Sequence, residues 1–324
     1  MGAHQGLVGR RRIMQWSYDD PITGERLQAL AQATVLTPSI LSFHTSLPRT
    51  DAHEIVIFRG THAQLEPDDS AIRCLRGRRC IFVYSHLLES FVQRILPRLD
   101  HRFVLISHNS DHGVDERFRN ALDDPRIAHW FAQNTLTHHP KLTALPIGIA
   151  NAQWAHGNLR ALVDVANASR PVRRNVVYVN FEVRTNPAVR VPLLQRLERL
   201  PVAWRAPPRP FADYLADMAA CRWTVSPPGN GVDCHRTWEA LYLGITPIVL
   251  KTASGASLHD GLPIIQLPDL AALEASQLDE AERALADRAK LEDGAKLEDR
   301  SPSERLKMSY WRERIARAVM EAGQ

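Results

Sequence analysis

Cysteine is scarce in this sequence, with four residues among 324. Cys74, Cys80, Cys221 and Cys234 are scattered and lack the paired spacing of zinc or iron–sulfur ligands. A disulfide-stapled scaffold is excluded as well, because such chains are short and rich in cysteine. The thiols are therefore predicted to be reduced, as in a cytoplasmic protein.

Long hydrophobic runs are also missing. No stretch of about 18 apolar residues occurs, so the sequence predicts no membrane-spanning helix. Three arginines at positions 10–12 precede a segment that is too polar for the core of a signal peptide. Position 6 is glycine, where a myristoylation signal needs serine or threonine. We expect a cytoplasmic location, and leave open a weak peripheral contact of these arginines or the last helix with the inner membrane face.

Several motifs of nucleotide, metal and nucleic-acid sites are absent. No G-x-G-x-x-G turn follows an N-terminal strand, which disfavours a dehydrogenase or a sugar epimerase. No D-x-D sequence stands near a strand end. His108 and His112 are four positions apart, but no third ligand follows at a recognisable spacing, so no metal site is predicted. The net charge of +4 is mild and has no nucleic-acid-binding motif behind it, so nucleic acid is not an expected partner.

What the sequence does contain is a regular alternation of short apolar runs and helical patterns. The predicted strands are residues 40–44, 54–59, 80–84, 102–107, 127–133, 142–149, 175–181, 202–205, 223–226, 246–250 and 263–267. The main predicted helices are residues 87–96, 115–122, 159–166, 188–200, 211–220, 235–243, 271–298 and 309–320. This order is typical of an α/β fold with doubly wound parallel sheets, whose ligands bind beyond the carboxyl ends of the strands.

The length suits two domains that each bury a core. Residues 167–174 are polar, basic and interrupted by proline, which makes them the best linker candidate. We therefore predict an N-terminal domain over residues 1–165, a C-terminal domain over residues 175–308 and a terminal helix over residues 309–324.

One stretch, residues 223–250, combines a strand, a glycine-rich loop, a helix start and a second strand. The helix is predicted to begin near His235 and to end at Gly244. Its free backbone N–H groups and positive dipole end suit a phosphate, with Arg236 in the first turn. Glu239 lies one turn further on the same face, where a carboxylate can accept hydrogen bonds from ribose hydroxyls. The alternative to a phosphate site is an ordinary glycine-rich loop before a helix, with a surface ion pair between Arg236 and Glu239.

This stretch resembles the donor-nucleotide motif of the exostosin-like glycosyltransferases, R-x-x-E-A-x-x-x-G-x-x-P-[IV]-[VI]. The matching residues are Arg236, Glu239, Ala240, Gly244, Pro247, Ile248 and Val249. The likeness covers about twenty-five residues, and related strand-loop-helix units occur in other transferases with two Rossmann-like domains, the GT-B fold. The resemblance implies such a fold, with the two domains facing a cleft and the C-terminal helix returning to the first domain. It also implies a nucleotide-sugar substrate, UDP- or GDP-linked, and no separate cofactor.

Under this resemblance the donor site is expected to lie on the C-terminal domain. Its expected residues are Arg184, Ser226, Gly229, Asn230, Gly231, His235, Arg236, Thr237 and Glu239. Arg236 and the glycine loop would neutralise the diphosphate leaving group, which removes the need for a divalent metal. Arg184 follows a strand end and would hold a diphosphate oxygen; the alternative for this residue is a solvated side chain.

The general base is expected in the polar loop of residues 107–116, which follows a strong strand. Asp111 is the first choice and His108 the second; either would take a proton from an acceptor hydroxyl. The alternative is that this loop holds ordinary turn and helix-capping residues. A base in the first domain favours inversion at the transferred carbon.

A second polar and aromatic loop is expected to bind the acceptor. Asn151, Trp154 and His156 combine a ring for the apolar face of a sugar with groups for its hydroxyls, and Asn109 completes the expected acceptor site. The alternative for the aromatic residue is a packed plug between the domains. The function expected from the resemblance is metal-independent transfer of a sugar to a glycan or glycolipid hydroxyl, as in polysaccharide biosynthesis. A non-catalytic nucleotide- or glycan-binding protein on the same fold is the rival.

Overall fold

Two parallel β-sheets form the framework of the protein in a computed structural model that describes residues 15–43, 53–168, 173–252, 257–294 and 302–324. One sheet has six strands and the other has five, and every strand pair within them is parallel. We call these sheets with their helices the N-terminal and C-terminal units. The predicted α/β class is therefore confirmed. The arginines at positions 10–12 lie outside the described residues.

The N-terminal sheet has the strand order β2-β1-β3-β4-β5-β6. Its strands are β1 Ala33–Leu36, β2 Glu54–Ile57, β3 Cys80–Tyr84, β4 Phe103–His108, β5 Ile127–Gln133 and β6 Leu142–Leu145. All residues of β1, β3 and β4 are buried, as expected of strands that helices cover on both faces.

One predicted strand of this unit is wrong. Residues 40–43 belong to a helix, Pro38–Phe43, and the strand lies upstream at Ala33–Leu36. Pro38 occupies the first helical position, where its fixed φ suits a helix start and its missing N–H costs nothing. The apolar run at residues 40–43 is therefore the continuation of a helix that the proline begins.

The helices of the N-terminal unit are short. They are α1 Gly24–Gln28, α2 Pro38–Phe43, α3 Asp69–Leu75, α4 Leu88–Ser90 and α5 Arg119–Asp123. The predicted helix over residues 87–96 is irregular, because α4 lies between a 3₁₀ turn, Ser85–Leu87, and a π-helical turn, Phe91–Ile95, that leads into Leu96–Arg98. A further 3₁₀ turn, Glu116–Phe118, precedes α5.

The C-terminal sheet has the order β11-β10-β9-β7-β8. Its strands are β7 Arg174–Val179, β8 Ala203–Arg205, β9 Cys221–Val225, β10 Thr246–Leu250 and β11 Ile265–Leu267. The helices of this half are α6 Leu159–Asn167, α7 Pro187–Leu197, α8 Phe211–Ala219, α9 His235–Tyr242, α10 Ala275–Gly294 and α11 Met308–Ala322, with 3₁₀ turns Val183–Thr185, Leu270–Ala272 and Pro302–Leu306. The chain order reverses between β7 and β9, and ligands of such sheets bind beyond the strand ends at this point.

The first and the last of the described segments cross between the units. Helix α11 packs on β4, β5 and α1, and its Trp311 and Ile315 join the core of the N-terminal unit. Trp16, in contrast, packs edge-on against Tyr242 of the C-terminal unit and donates its indole N–H to that residue's carbonyl. The Tyr242 hydroxyl accepts from the Ile22 N–H at 2.9 Å and donates to the Leu306 carbonyl at 2.6 Å. The expected return of the terminal helix to the first unit is confirmed.

Candidate functional site

Two adjoining cavities open where the carboxyl ends of the two sheets meet. The first cavity, of about 640 Å³, lies on the N-terminal unit and is lined by residues that follow β1, β3, β4 and β6. The second cavity, of about 600 Å³, lies on the C-terminal unit beside the loop between β9 and α9. Asp111, Ile147, His156 and His235 line both cavities. A molecule that extends through both cavities passes these four residues, which we call the junction.

Helix α9 presents its N-terminus to the second cavity. Cys234 precedes it in an extended conformation, and the Cys234 side chain makes no capping hydrogen bond to the helix. The first backbone N–H groups of the helix are therefore left for a ligand, at the end where the peptide dipoles favour an anion. The helix ends at Tyr242, and Gly244 just beyond it has a φ of 64°, the left-handed conformation that glycine adopts without strain.

Arg236 and Glu239 both line the second cavity, one turn apart on α9. The Glu239 carboxylate is buried, and its Oε2 accepts a hydrogen bond of 2.7 Å from the Tyr214 hydroxyl. Burial raises the pKa of Glu239, although the tyrosine and Arg236 act in the opposite direction. Nε of Arg236 is buried and has no hydrogen-bond partner among the described residues. A buried cationic N–H without a partner is what an anionic ligand would satisfy.

The glycine-rich loop is held by Arg190, which also lines the second cavity and is not among the predicted site residues. The guanidinium is buried and donates to the carbonyls of Pro227 at 3.0 Å, Pro228 at 2.9 Å and Glu182 at 2.5 Å. Burial lowers the pKa of Arg190. The loop is thus shaped by a cation that bonds to its backbone carbonyls.

A second support of this loop comes from the other unit. The side-chain amide of Asn134, at the end of β5, accepts from the Asp233 N–H and donates to the Asp111 carbonyl, both at 3.1 Å. Gly231 passes so close that a Cβ at this position would lie 2.6 Å from Nδ2 of Asn134. The loops that carry Asp111 and Asp233 are therefore fixed to one another through a single amide.

Asp233 is a buried carboxyl group between the units. Its Oδ2 accepts from the Ile147 N–H at 2.8 Å, its Oδ1 accepts from the Cys234 N–H at 2.8 Å, and both oxygens face the Trp238 indole N–H. Burial raises the pKa of Asp233 to about 6, although these N–H donors favour the charged form. The group therefore titrates closer to neutrality than an exposed aspartate does.

The two candidate bases have different surroundings. Asp111 is exposed at the junction, and its carboxylate accepts no hydrogen bond from the described residues. His108 is buried, with Nε2 3.0 Å from the Pro146 carbonyl and Nδ1 3.1 Å from Oδ1 of Asn109. Burial lowers the pKa of His108. Because both ring nitrogens of His108 already have protein partners, Asp111 is the better placed of the two to receive a substrate proton.

The expected acceptor residues line the first cavity. Trp154 is 45% exposed, whereas the indoles of Trp130, Trp223 and Trp238 are buried. The Trp154 ring is stacked on His156 with an interplanar angle of 22° and a centroid distance of 6.2 Å. The alternative of a packed plug between the domains does not fit an indole with this exposure. Its ring contributes to the wall of an open cavity, where it can contact a flat apolar face.

Asn109 and Asn151 line the first cavity and also form hydrogen bonds with other residues of the protein. Oδ1 of Asn151 accepts from the Glu25 N–H at 2.9 Å, and its Nδ2 donates to Oδ1 of Asn109 at 3.1 Å. Nδ2 of Asn109 donates to Gln28 at 3.1 Å. Their amides are largely committed to one another and to α1, so their effect on a ligand is to hold the wall in place.

The structure brings most of the predicted donor residues together, with exceptions. Gly229, Asn230, Gly231, His235, Arg236 and Glu239 line the second cavity. Ser226 and Thr237 lie behind the loop as a buried pair of hydroxyls 2.9 Å apart, and do not line it. Arg184 is 86% exposed, faces Glu182 at 3.8 Å and lies outside the lining, which agrees with the solvated alternative.

The predicted donor set leaves out several residues that line or support the second cavity. Those on the C-terminal unit are Asn180, Arg190, Phe211, Tyr214 and Asp233, and the one on the N-terminal unit is Asn134. Asn180 carried a usable signal, since it directly follows β7 at the switch point of the sheet. Arg190 carried none, because an arginine within a helix pattern is normally read as solvated.

The described residues contain neither a cluster of metal-ligating side chains nor a membrane-spanning helix. No group of three or more His, Cys, Asp or Glu residues in this part of the chain is arranged to hold a metal ion. Among the same residues, no helix has the length and apolar character needed to cross a membrane.

Comparisons with known proteins give distant structural similarity only. No protein-family model matches the chain, and a search of curated proteins found no match. Among solved structures, the spinosyn rhamnosyltransferase SpnG complexed with spinosyn aglycone is similar at 12% identity and a TM-score of 0.41, covering 90% of this chain and 96% of its own. The glycotransferase of kitacinnamycin is similar at 12% identity and a TM-score of 0.40, and the match covers 92% of this chain and 93% of that chain. SsfS6, a Streptomyces sp. SF2575 glycosyltransferase, is similar at 11% identity and a TM-score of 0.39, and the match covers 79% of this chain and 93% of that chain.

Proposed function

We propose that the protein is a glycosyltransferase that moves a sugar from a nucleotide-sugar to a hydroxyl group. One observation carries the proposal: the uncapped N-terminus of α9, with the unpartnered Nε of Arg236, opens into a cavity that adjoins a second cavity on the facing unit. The helix N-terminus with Arg236 suits a diphosphate. The cavity on the facing unit provides room for an acceptor at the point where the diphosphate ends.

In this proposal the C-terminal unit binds the donor. Arg236, the N-terminus of α9 and the glycine loop stabilise the charge that the diphosphate gains as its bond to the sugar breaks. Glu239 accepts hydrogen bonds from the ribose through Oε1, since Oε2 is already bonded to Tyr214. Phe211 and Tyr214, whose rings are stacked at a centroid distance of 6.0 Å, form the wall for the base.

The N-terminal unit then supplies the acceptor and the base. The acceptor hydroxyl oxygen attacks the anomeric carbon, the bond from that carbon to the diphosphate oxygen breaks, and the hydroxyl proton moves to Asp111. Attack from the side opposite the leaving group inverts this carbon. Trp154 stacks on the apolar face of an acceptor sugar, with His156 beside it.

The finer assignments follow the sequence resemblance. They are an exostosin-like transferase of polysaccharide biosynthesis, a UDP- or GDP-linked donor without a metal cofactor, and a glycan or glycolipid acceptor. The proposed location is the cytoplasm, with a weak peripheral contact at the inner face of the membrane. The motif around Arg236 supports the first of these, and the cationic leaving-group site supports metal independence.

The test is calorimetry with UDP, GDP, CMP and TDP, with and without EDTA, on the wild type and on Arg236→Ala. We expect one nucleotide to bind, unaffected by EDTA, and the variant to bind it at least about 30-fold more weakly, since a charge-assisted pair is lost. Absence of binding, or equal binding by the variant, would refute the donor site. A bound nucleotide without transfer from its sugar conjugates to any acceptor tested would favour the non-catalytic binding protein.

A further inference from the structure

His235, the first residue of α9, has a ring whose two nitrogens face different surroundings. Nδ1 lies 2.7 Å from the carbonyl oxygen of Gly148 in the N-terminal unit. A carbonyl only accepts hydrogen bonds, so Nδ1 carries the proton and donates. In a neutral ring Nε2 is then left unprotonated, as a hydrogen-bond acceptor.

Nε2 of His235 has no hydrogen-bond partner among the described residues, and it is not one of their fully buried unpartnered atoms. The half-buried ring lines both cavities. His156 lies beside it, with ring centroids 6.0 Å apart. The acceptor nitrogen therefore opens at the junction, where Asp111 also lies.

The position of His235 along the helix relates it to the donor. It directly precedes Arg236, so a diphosphate at the N-terminus of α9 places its terminal phosphate beside this residue. The sugar on that phosphate then occupies the junction. Resting on the proposed function, we propose that Nε2 of His235 accepts a hydrogen bond from a hydroxyl of the transferred sugar and thereby orients it for attack.

The charge state of the ring suits this role. Burial lowers the pKa of His235 to about 4, with smaller contributions from His156, His108 and Arg236, while the Gly148 carbonyl acts in the opposite direction. The ring is neutral at pH 7, so Nε2 accepts a hydrogen bond from the sugar throughout the neutral range. Asp111, on the same junction, remains available for the acceptor hydroxyl.

Two substitutions of His235 test the roles of its two ring nitrogens separately. His235→Asn retains an N–H near the position of Nδ1, for the Gly148 carbonyl, but places nothing at the position of Nε2. His235→Gln places an amide oxygen near the position of Nε2 and loses the contact with Gly148. The probes are UDP, UDP-glucose, UDP-galactose, UDP-N-acetylglucosamine, GDP, GDP-mannose, GDP-fucose, TDP and TDP-rhamnose. Calorimetry measures, for each variant, how much the sugar improves the affinity of its parent diphosphate.

We expect His235→Asn to bind the diphosphate as the wild type does. The affinity that the sugar adds should fall by about 5- to 10-fold in this variant, because one hydrogen bond to the sugar is lost. His235→Gln should retain most of that contribution. Three results would overturn the inference and leave the proposed function standing: a wild type that binds every conjugate no better than its diphosphate, an asparagine variant that weakens both equally, or a glutamine variant that loses the same contribution. If the wild type bound no nucleotide, the proposed function and this inference would fall together.

Discussion

The side chain of Asn134 accepts a hydrogen bond of 3.1 Å from the backbone N–H of Asp233, although 99 positions separate the two residues. The same amide donates to the carbonyl of Asp111. One side chain of the N-terminal unit thus sets the distance between the proposed base and the proposed phosphate loop. Asn134 has a φ of 54°, a left-handed conformation that asparagine adopts more readily than most residues do.

Asn134→Gly tests this link, since glycine tolerates the backbone conformation but removes both hydrogen bonds. We expect the kcat of sugar transfer to fall by about 10- to 100-fold, because the base loop loses its alignment with the donor. The Kd of the nucleotide should change less than about 3-fold, since Arg236 and α9 are untouched. Steady-state kinetics and calorimetry measure the two effects. A loss confined to Kd would show that the amide serves only the donor loop.

The buried carboxyl of Asp233 predicts a pH dependence of stability. Its folded pKa of about 6 lies above the ordinary value of 3.8, so the folded state binds the proton more tightly than the unfolded state does. This stabilisation is complete below pH 3.8 and is lost as the pH rises through about 6, by up to about 3 kcal/mol.

Asp233→Asn has no such titration. Its free energy of unfolding should be lower at every pH, because an amide N–H then faces backbone donors. The difference between the wild type and the variant should shrink between pH 5 and pH 7.5. Urea denaturation at these two values measures it, and a difference that grows with pH would contradict the assigned pKa.

Arg190 and Arg184 form a matched pair, six positions apart on one segment. Arg190→Met should cost about 3–5 kcal/mol of unfolding free energy, because it leaves buried carbonyls of Pro227 and Pro228 without a donor. It should also weaken nucleotide binding, since the loop loses its shape. Arg184→Met, at a side chain that is 86% exposed, should change stability by less than about 0.5 kcal/mol.

The same two variants test the prediction that Arg184 binds a diphosphate oxygen of the donor. The nucleotide Kd of Arg184→Met should stay within about 2-fold of the wild type, because the side chain lies outside the second cavity. A larger loss in calorimetry would return Arg184 to the donor site, and would show that the loop around it closes on the ligand.

Asp111→Asn tests the proposed base. The amide preserves size and cannot take a proton, so kcat should fall by about 10²- to 10⁴-fold with the nucleotide Kd unchanged. His108→Gln serves as the comparison, since that ring is enclosed by protein acceptors; its loss should appear mainly as a lower melting temperature. Equal turnover of wild type and Asp111→Asn would assign the base to another residue.

Much of the framework could be predicted from local sequence. The strands Cys80–Tyr84, Ile127–Gln133 and Thr246–Leu250 agree with their predicted bounds, because a central parallel strand is apolar throughout and ends at turn residues. The end of α9 just before Gly244 could be predicted for a similar local reason. The strand Ala33–Leu36 was missed because the apolar run beyond Pro38 imitates a strand of its own.

The sequence by itself determined the α/β class, the alternation of strands and helices, and the polar loops at the strand ends. These properties follow from apolar periodicity, glycine and proline, which act over a few residues. Only the tertiary structure decided which of two nearby arginines is buried against the phosphate loop, and that Asn134 meets Asp233 between the units. Such choices depend on the directions of side chains from segments far apart in the chain, where burial and hydrogen-bond geometry act and sequence spacing carries no information.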